Sequence, residues 1–437
     1  VPNENVSCAS SGNNTPPASA NKDKKPVKIR ASLFYDGTCN NRTNTEARNP
    51  KSLNHQAYLD EGNHEDDSFE NDETNVARLE RMQLKDKKNN PDYDVTFTIY
   101  TEGIGTTDLK GDSNMKGAAF GLGDTGIEAK VEKGVKALYR NIINVNAPDK
   151  LIELITIDTC GFSRGAAAAR NAIHVILEDK KLKLEQQLES AGYTVQKIEI
   201  KFVGLFDTVS HHGMSMDDDV ADLHLDAITN AQQVVQLAAA DEYRHNFPLV
   251  NISSNGTEIQ LPGVHSDVGG SYNAMVNELD LKVLSVSAAY SQQQIRGRFD
   301  REKTWLIDEG WFRDVKEEID DRGSHVVLNR YNILNTYTYI PMAIMKNHAG
   351  KSLLKFNELR MESFIKQVDS SPDLKALRAL LGPLGSEAWR GQRDLMRRIR
   401  HRYCHFNALY SFVGVNDPDW STGNSMTGIR KRTVYNG

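Results

Sequence analysis

The sequence predicts an α/β fold, a mostly parallel central sheet flanked by helices, and three observations predict it. Strand-like apolar runs alternate with amphipathic helical stretches from residue 28 to about 275, the pattern by which right-handed crossovers build a parallel sheet. The run Leu151 to Cys160 (LIELITIDTC) passes through a glycine-flanked turn straight into an Ala-rich segment of high helix propensity. Four polar residues, Asp36, Ser163, Asp207 and His265, fall at the C-terminal ends of predicted strands, the edge where open α/β sheets gather ligands and catalytic groups.

Taken in order, residues 1–27 are rich in Ser, Asn, Pro and Lys and read as a disordered N-terminal tether. They lack the apolar core of a secretory signal. Residues 28–280 form the expected catalytic core. Its first strand is VKIRASLFY, closed by a turn at Asp36-Gly37. Residues 42 to 92 are nearly all polar, with an acidic cluster from Glu61 to Glu73 and a helical stretch near Val76 to Leu84; they read as an insertion. YDVTFTIYTEGIGT (93 to 106) is the second strand, Ile127 to Ile143 a helix, and the strand at 151 follows. Beyond it come a helix from about Arg164 to Leu188, a strand from Lys197 to Phe206, a loop from Thr208 to Asp219, a helix from about Asp222 to Ala240, and a strand from Thr257 to Leu261.

From residue 281 to 437 the alternation fades into a mostly helical accessory region. Helical stretches at Val283 to Gln294, Phe312 to Ile319, Leu353 to Gln367, Asp373 to Leu381 and Glu387 to Tyr403 surround the strand-like HVVLNRYNILNTYTYIP. Here Leu374, Leu377, Leu380, Leu381 and Leu384 share a helical face near Trp389, and Arg390 through Arg402 supply basic residues. That combination suits an interfacial helix on anionic lipid, although core packing with a solvated basic face is the commoner use of such a stripe.

Composition narrows the function classes. No stretch approaches 18 consecutive apolar residues, so a membrane-spanning helix is not expected. A formal charge of −6 over 437 residues gives no reason to expect nucleic acid. The four cysteines, Cys8, Cys39, Cys160 and Cys404, are far apart with no CxxC, which argues against a zinc site or a disulfide framework and fits a reducing cytosol.

Chemistry centres on Gly161-Phe162-Ser163-Arg164-Gly165. A GxSxG between strand and helix matches the nucleophile elbow, whose small residues allow a tight turn that presents a strained serine. The serine needs a base, and the base needs an orienting carboxylate. Ser163, Asp207 and His265 occur in the chain order this arrangement uses, and glycines on both sides of His265 mark a loop with room for substrate. The backbone N–H of Arg164, at the helix start, and that of Gly37 or Thr38, in the loop after the first strand, are the candidate oxyanion donors. His405 is the competing base and Asp267 the competing orienter, the latter more naturally an Asx turn. His211, His212, Asp217, Asp218 and Asp219 match no metal-ligand spacing. A metal is not required, and nothing in the sequence supports calcium.

Four blocks, FYDGTCNN, GFSRGAAAAR, VGLFDTVS and LPGVHSDVGGSY, with YTEGIGT and DEYRHNFPL, span residues 28 to 275. In this order they closely resemble the α/β-hydrolase family of type VI secretion phospholipase effectors, in the branch whose elbow reads GFSRG. Looser similarity extends to RYNILNTYTYIPMAIM and RHRYCHFNAL. The resemblance implies a triad of Ser163, Asp207 and His265 and phospholipase A activity on bacterial membrane glycerophospholipids. It also implies loading on a secretion spike or carrier protein, delivery into a rival cell's periplasm, and neutralisation by a cognate immunity protein. Cys39 stands where the family commonly has Gly, which tightens the expected oxyanion loop. The alternatives are a hydrolase for a non-lipid ester or amide, and a catalytically silent scaffold acting as a binding module.

Overall fold

The computed structural model describes residues 25–61, 67–112, 123–210, 220–282, 291–321, 326–409, 418–423 and 427–437. Most of the expected tether, with Cys8, and the cluster His211, His212, Asp217, Asp218 and Asp219 lie outside the described residues.

A seven-stranded, fully parallel sheet organises the chain. Its strands are β1 (Val27–Tyr35), β2 (Val95–Thr101), β3 (Leu151–Phe162), β4 (Thr194–Val195), β5 (Ile198–Phe206), β6 (Ala231–Ala239) and, after the two-residue β7 (Leu249–Val250), β8 (Thr257–Leu261). The spatial order is β2-β1-β3-β5-β6-β8, with β4 pairing β3. β3 carries an apolar run because helices cover both faces of the sheet. On one face Ile155 and Ile157 pack with Val131, Val135 and Leu138 of the helix Ile127–Asn144 and the alanines of the helix Arg164–Leu177. On the other, Cys160 and Phe162 pack with Leu79 of the helix Asn75–Met82 and with Met342 and Met345 of the helix Tyr339–Lys351. The helices are α1 (Arg42–Ala47), α2 (His55–Glu61), α3 (Asp67–Glu70), α4 (Asn75–Met82), α5 (Ile127–Asn144), α6 (Arg164–Leu177), α7 (Leu184–Ser190), α8 (His265–Gly269), α9 (Gln292–Asp308), α10 (Tyr339–Lys351), α11 (Glu358–Asp369), α12 (Pro372–Leu381) and α13 (Arg393–Tyr403).

Four expectations change. The segment read as a helix over 222–240 contains β6, a sheet strand buried without a break from Val234 to Ala239. Its Ala and Gln favour helix in isolation, but a slot between β5 and β8 outweighs that propensity. The helix expected over 164–188 is two helices, split where the Asp179 carboxylate accepts the Lys181 and Leu182 N–H groups at 2.7 Å each, an Asx-type turn. Residues Phe312 to Ile319 form no helix; Glu318 folds back on the Arg313 N–H at 2.6 Å and the chain enters β10 (Ile319–Asp321). The polar insertion is not wholly peripheral, since Val76, Leu79 and Met82 of α4 are core residues.

The region after 281 is helical around a small antiparallel sheet, β10-β11-β9, formed with β9 (Met275–Lys282) and β11 (Val326–Leu334). The last strand, β12 (Val434–Tyr435), pairs parallel with β7 and returns the C-terminus to the main sheet's rim. The leucine stripe of α12 faces inward: Leu374, Leu377 and Leu381 are buried, and Trp389 donates to Gln260 O at 3.2 Å. Its basic neighbours are engaged too, Arg398 with Asp373 at 2.9 Å and Arg400 with Asp241 at 3.0 Å. Leu377→Ala is therefore expected to cost about 2–5 kcal/mol of stability, as cavity-forming core truncations do. Chemical denaturation measures it, and vesicle binding without loss of stability would point instead to an interfacial helix.

Candidate active site

The rim is built by three strand ends. Phe162 and Phe206 are partners in the β3/β5 register, so Ser163 and Asp207 follow from paired positions, and the Ser163 N–H donates to Phe206 O at 3.0 Å. Ser163 has φ 59° and ψ −130°, a backbone conformation that costs a non-glycine residue about 1–3 kcal/mol. The two glycines of the elbow are required by close approach. A Cβ on Gly161 would sit 2.2 Å from Gly165 O, and one on Gly165 would sit 2.2 Å from Asp36 O. Helix α6 therefore starts directly beneath the serine, with its first N–H groups unsatisfied within the helix.

His265 opens α8, after β8 and the turn at Gly263. Its Nδ1 lies 2.6 Å from Asp207 Oδ2, which assigns the proton to Nδ1 and leaves Nε2 as the basic nitrogen. The Phe162 ring, next to Ser163, packs on the imidazole with centroids 4.5 Å apart. Ser163 Oγ makes no hydrogen bond among the described residues, a looseness common before substrate binds.

Asp207 is fully buried and fourfold bonded. It accepts from the Ala239 N–H at 2.8 Å, from His265, and from Arg432 through Nη1 at 2.7 Å and Nη2 at 2.8 Å. Burial alone would raise its pKa. The Arg432 charge and the His265 bond outweigh that and hold it below the usual carboxylate range. Burial lowers the His265 pKa from 6.5, only partly opposed by Asp207. The unfolded chain thus binds more protons than the native state at His265 as pH falls below 6.5 and at Asp207 as it falls below 3.8, so stability drops through both windows.

Glu242 completes the support. Its Oε2 accepts the His265 N–H at 3.2 Å and the Asn407 amide at 2.8 Å, while Arg244 bridges both of its oxygens. Phe247, beneath the Arg244 guanidinium, touches the imidazole edge-on with centroids 5.0 Å apart. Neither Arg432 nor Glu242 was anticipated as a site residue. Glu242 lay in the block DEYRHNFPL; nothing in the local sequence marked Arg432.

The competitors go elsewhere. Asp267 accepts the Val264 and His405 N–H groups and pairs with His405 Nδ1 at 2.7 Å. His405 is buried beneath Tyr272, with ring centroids 3.5 Å apart. The Asp267–His405 pair braces the loop that carries His265.

Of the oxyanion candidates, the Gly37 N–H is taken by Asp36 Oδ1 at 2.8 Å. The Thr38 N–H makes no hydrogen bond among the described residues, and Arg164 occupies the first position of α6, where no intrahelical acceptor exists. Asp36 anchors this loop: it also accepts from Thr74 at 2.6 Å and Tyr100 at 2.5 Å, and burial pushes its carboxyl up to about 6. Cys39 has φ 56°, the left-handed conformation glycine adopts without penalty. No group of metal-ligating residues occurs among the described residues.

No curated protein matches the chain. Among solved structures, a Tle1 effector bound to the VgrG spike of the type 6 secretion system is 20% identical, with a TM-score of 0.58 and coverage of 94% of each chain; that match shows the fold. An uncharacterized protein from Pseudomonas aeruginosa, 18% identical with a TM-score of 0.41, covers 85% of this chain and 52% of its own, too loose a likeness to carry an argument. The family model described as "T6SS, Phospholipase effector Tle1-like, catalytic domain" matches residues 32–179 and 176–290, well over half of the sequence, and the chain belongs to this family of type VI secretion phospholipase effectors.

Proposed function

We propose that this effector is a phospholipase A-type serine esterase that cleaves an acyl ester of membrane glycerophospholipids through Ser163, His265 and Asp207. The observation that carries this reading is the strained serine on the same rim as a histidine whose Nδ1 is held by a buried, doubly charge-paired aspartate. His265 Nε2 takes the Ser163 proton as Oγ attacks the ester carbonyl, and Asp207 stabilises the imidazolium that forms. The oxyanion is received by the backbone N–H groups of Arg164 and Thr38. Imidazolium then protonates the departing lysolipid alkoxide, and water, deprotonated by the same nitrogen, releases the fatty acid from the acyl-enzyme.

Residues 28–280 supply the catalytic groups in this reading, and residues 281–437 brace them. Loading on a secretion spike, action at the periplasmic membrane surface of a target cell and inhibition by an immunity protein complete the proposal. The related effector seen bound to a VgrG spike supports the first of these. Among the described residues no helix is long and apolar enough to cross a membrane.

Incubation with mixed-chain phospholipids and mass analysis of the products tests substrate class and acyl position together. Intact lipid in the presence of folded, fluorophosphonate-reactive protein defeats the phospholipase reading. The acid limb of kcat/KM on a soluble ester is expected below pH 6.5, because burial holds His265 neutral there. A limb at or above 6.5 counts against His265 as base.

A further inference from the structure

The residue after the nucleophile carries a charge that no carboxylate among the described residues answers. Arg164 Nε donates to Thr38 Oγ1 at 2.8 Å. Its Nη1 is buried without a hydrogen-bond partner, and no acidic residue pairs with it among the described residues. Three other partly buried arginines around the rim have acidic partners, Arg432 with Asp207, Arg400 with Asp241 and Arg244 with Glu242, whereas Arg170, farther along α6, is buried against backbone carbonyls. Burial pulls the Arg164 pKa down to about 10, so the charge is held at a cost. A guanidinium presents a planar fork suited to two oxygens of a phosphate. Thr38 fixes that fork against the loop whose N–H is a candidate oxyanion donor.

We propose that the Arg164 guanidinium is the site's phosphodiester receptor, binding the headgroup phosphate of the glycerophospholipid whose ester Ser163 attacks. This rests on the phospholipase reading above. In a glycerophospholipid the phosphate and the scissile ester share one three-carbon glycerol unit, so an anion held beside the oxyanion loop registers the carbonyl over the serine. Arg164 then contributes twice: its backbone N–H to the oxyanion, which substitution leaves in place, and its side chain to substrate selection.

The test compares dihexanoylphosphatidylcholine with dihexanoylglycerol, which carries the same acyl chains without the phosphate, both below their aggregation limits. For Arg164→Gln the loss of kcat/KM on the phospholipid is expected to exceed that on the neutral ester by about 10–100-fold, the excess carried mainly by KM. Arg164→Lys keeps the charge but not the fork and is expected between the two. Glycerophosphocholine should inhibit neutral-ester hydrolysis competitively in the wild type and not in Arg164→Gln. Equal losses on both esters, or none on either, overturn the proposal, because a clamp on the loop would act on both alike. If the wild type leaves phosphatidylcholine intact, the phospholipase reading fails, and the anion site stands or falls on glycerophosphocholine inhibition alone. Should Arg164→Gln not fold, the same two-substrate ratio read on Arg164→Lys decides.

Discussion

Ser163→Ala is expected to reduce ester hydrolysis by about 10⁴–10⁶-fold, the range over which loss of a serine nucleophile acts when the rest of the site is intact. Fluorophosphonate labelling should disappear with it. The fold should not: alanine keeps the same backbone conformation, and the serine hydroxyl makes no hydrogen bond among the described residues whose loss would be felt. The companion variant separates the two properties of this position. With φ 59° and ψ −130°, Ser163 sits at the mirror image of an ordinary extended conformation, which glycine reaches as readily as its opposite. Ser163→Gly is therefore expected to be as inactive as the alanine variant and about 1 kcal/mol more stable, the relieved strain exceeding the added entropy of the unfolded glycine. Denaturant midpoints measure it. Retained activity in Ser163→Ala would assign the chemistry to another nucleophile, and a less stable glycine variant would show that the elbow stores no strain.

The parts of the site legible in the sequence are those that local pattern dictates. Ser163, Asp207 and His265 each terminate a strand or follow its turn, and an apolar run ending at a glycine is visible in the chain. β6 was not legible because its buried stretch, Val234 to Ala239, is covered on both faces and shows no alternation. Alanine and glutamine then argue for helix, and only the vacancy between two parallel strands argues otherwise. The loop at Cys39, expected to be tight, turns there through a left-handed φ of 56°, which no residue pattern in the sequence announces. Arg432 was not visible at all. A buried carboxylate beside a histidine calls for a cation, but the chain has 53 lysines and arginines, and the one that answers is 225 residues away.

Arg432 is where that long-range contact becomes testable. Arg432→Met removes both charged donors to Asp207 and leaves a fully buried carboxylate supported by His265 and one backbone N–H. Breaking one side of a buried pair in this way is expected to cost about 3–5 kcal/mol of stability. The catalytic effect runs through Asp207, which makes Arg432 a positioning residue. Without the guanidinium, Asp207 is freer to tilt away from Nδ1, and a loss of about 10–100-fold in kcat/KM, equivalent to about 1.4–2.7 kcal/mol, is expected. A tether that merely secured the C-terminus would give those two losses as well, so the pH profile decides. Removing a cation whose charge opposes that of Asp207 favours the imidazolium, and the acid limb of kcat/KM should move to higher pH than in the wild type. Arg432→Lys restores the charge without the two-pronged geometry, so it should return the limb towards its original position while recovering only part of the rate. An unmoved limb in Arg432→Met, at a temperature where the variant remains folded, would reduce Arg432 to a structural anchor and leave the low Asp207 pKa to be explained by His265 and the backbone alone.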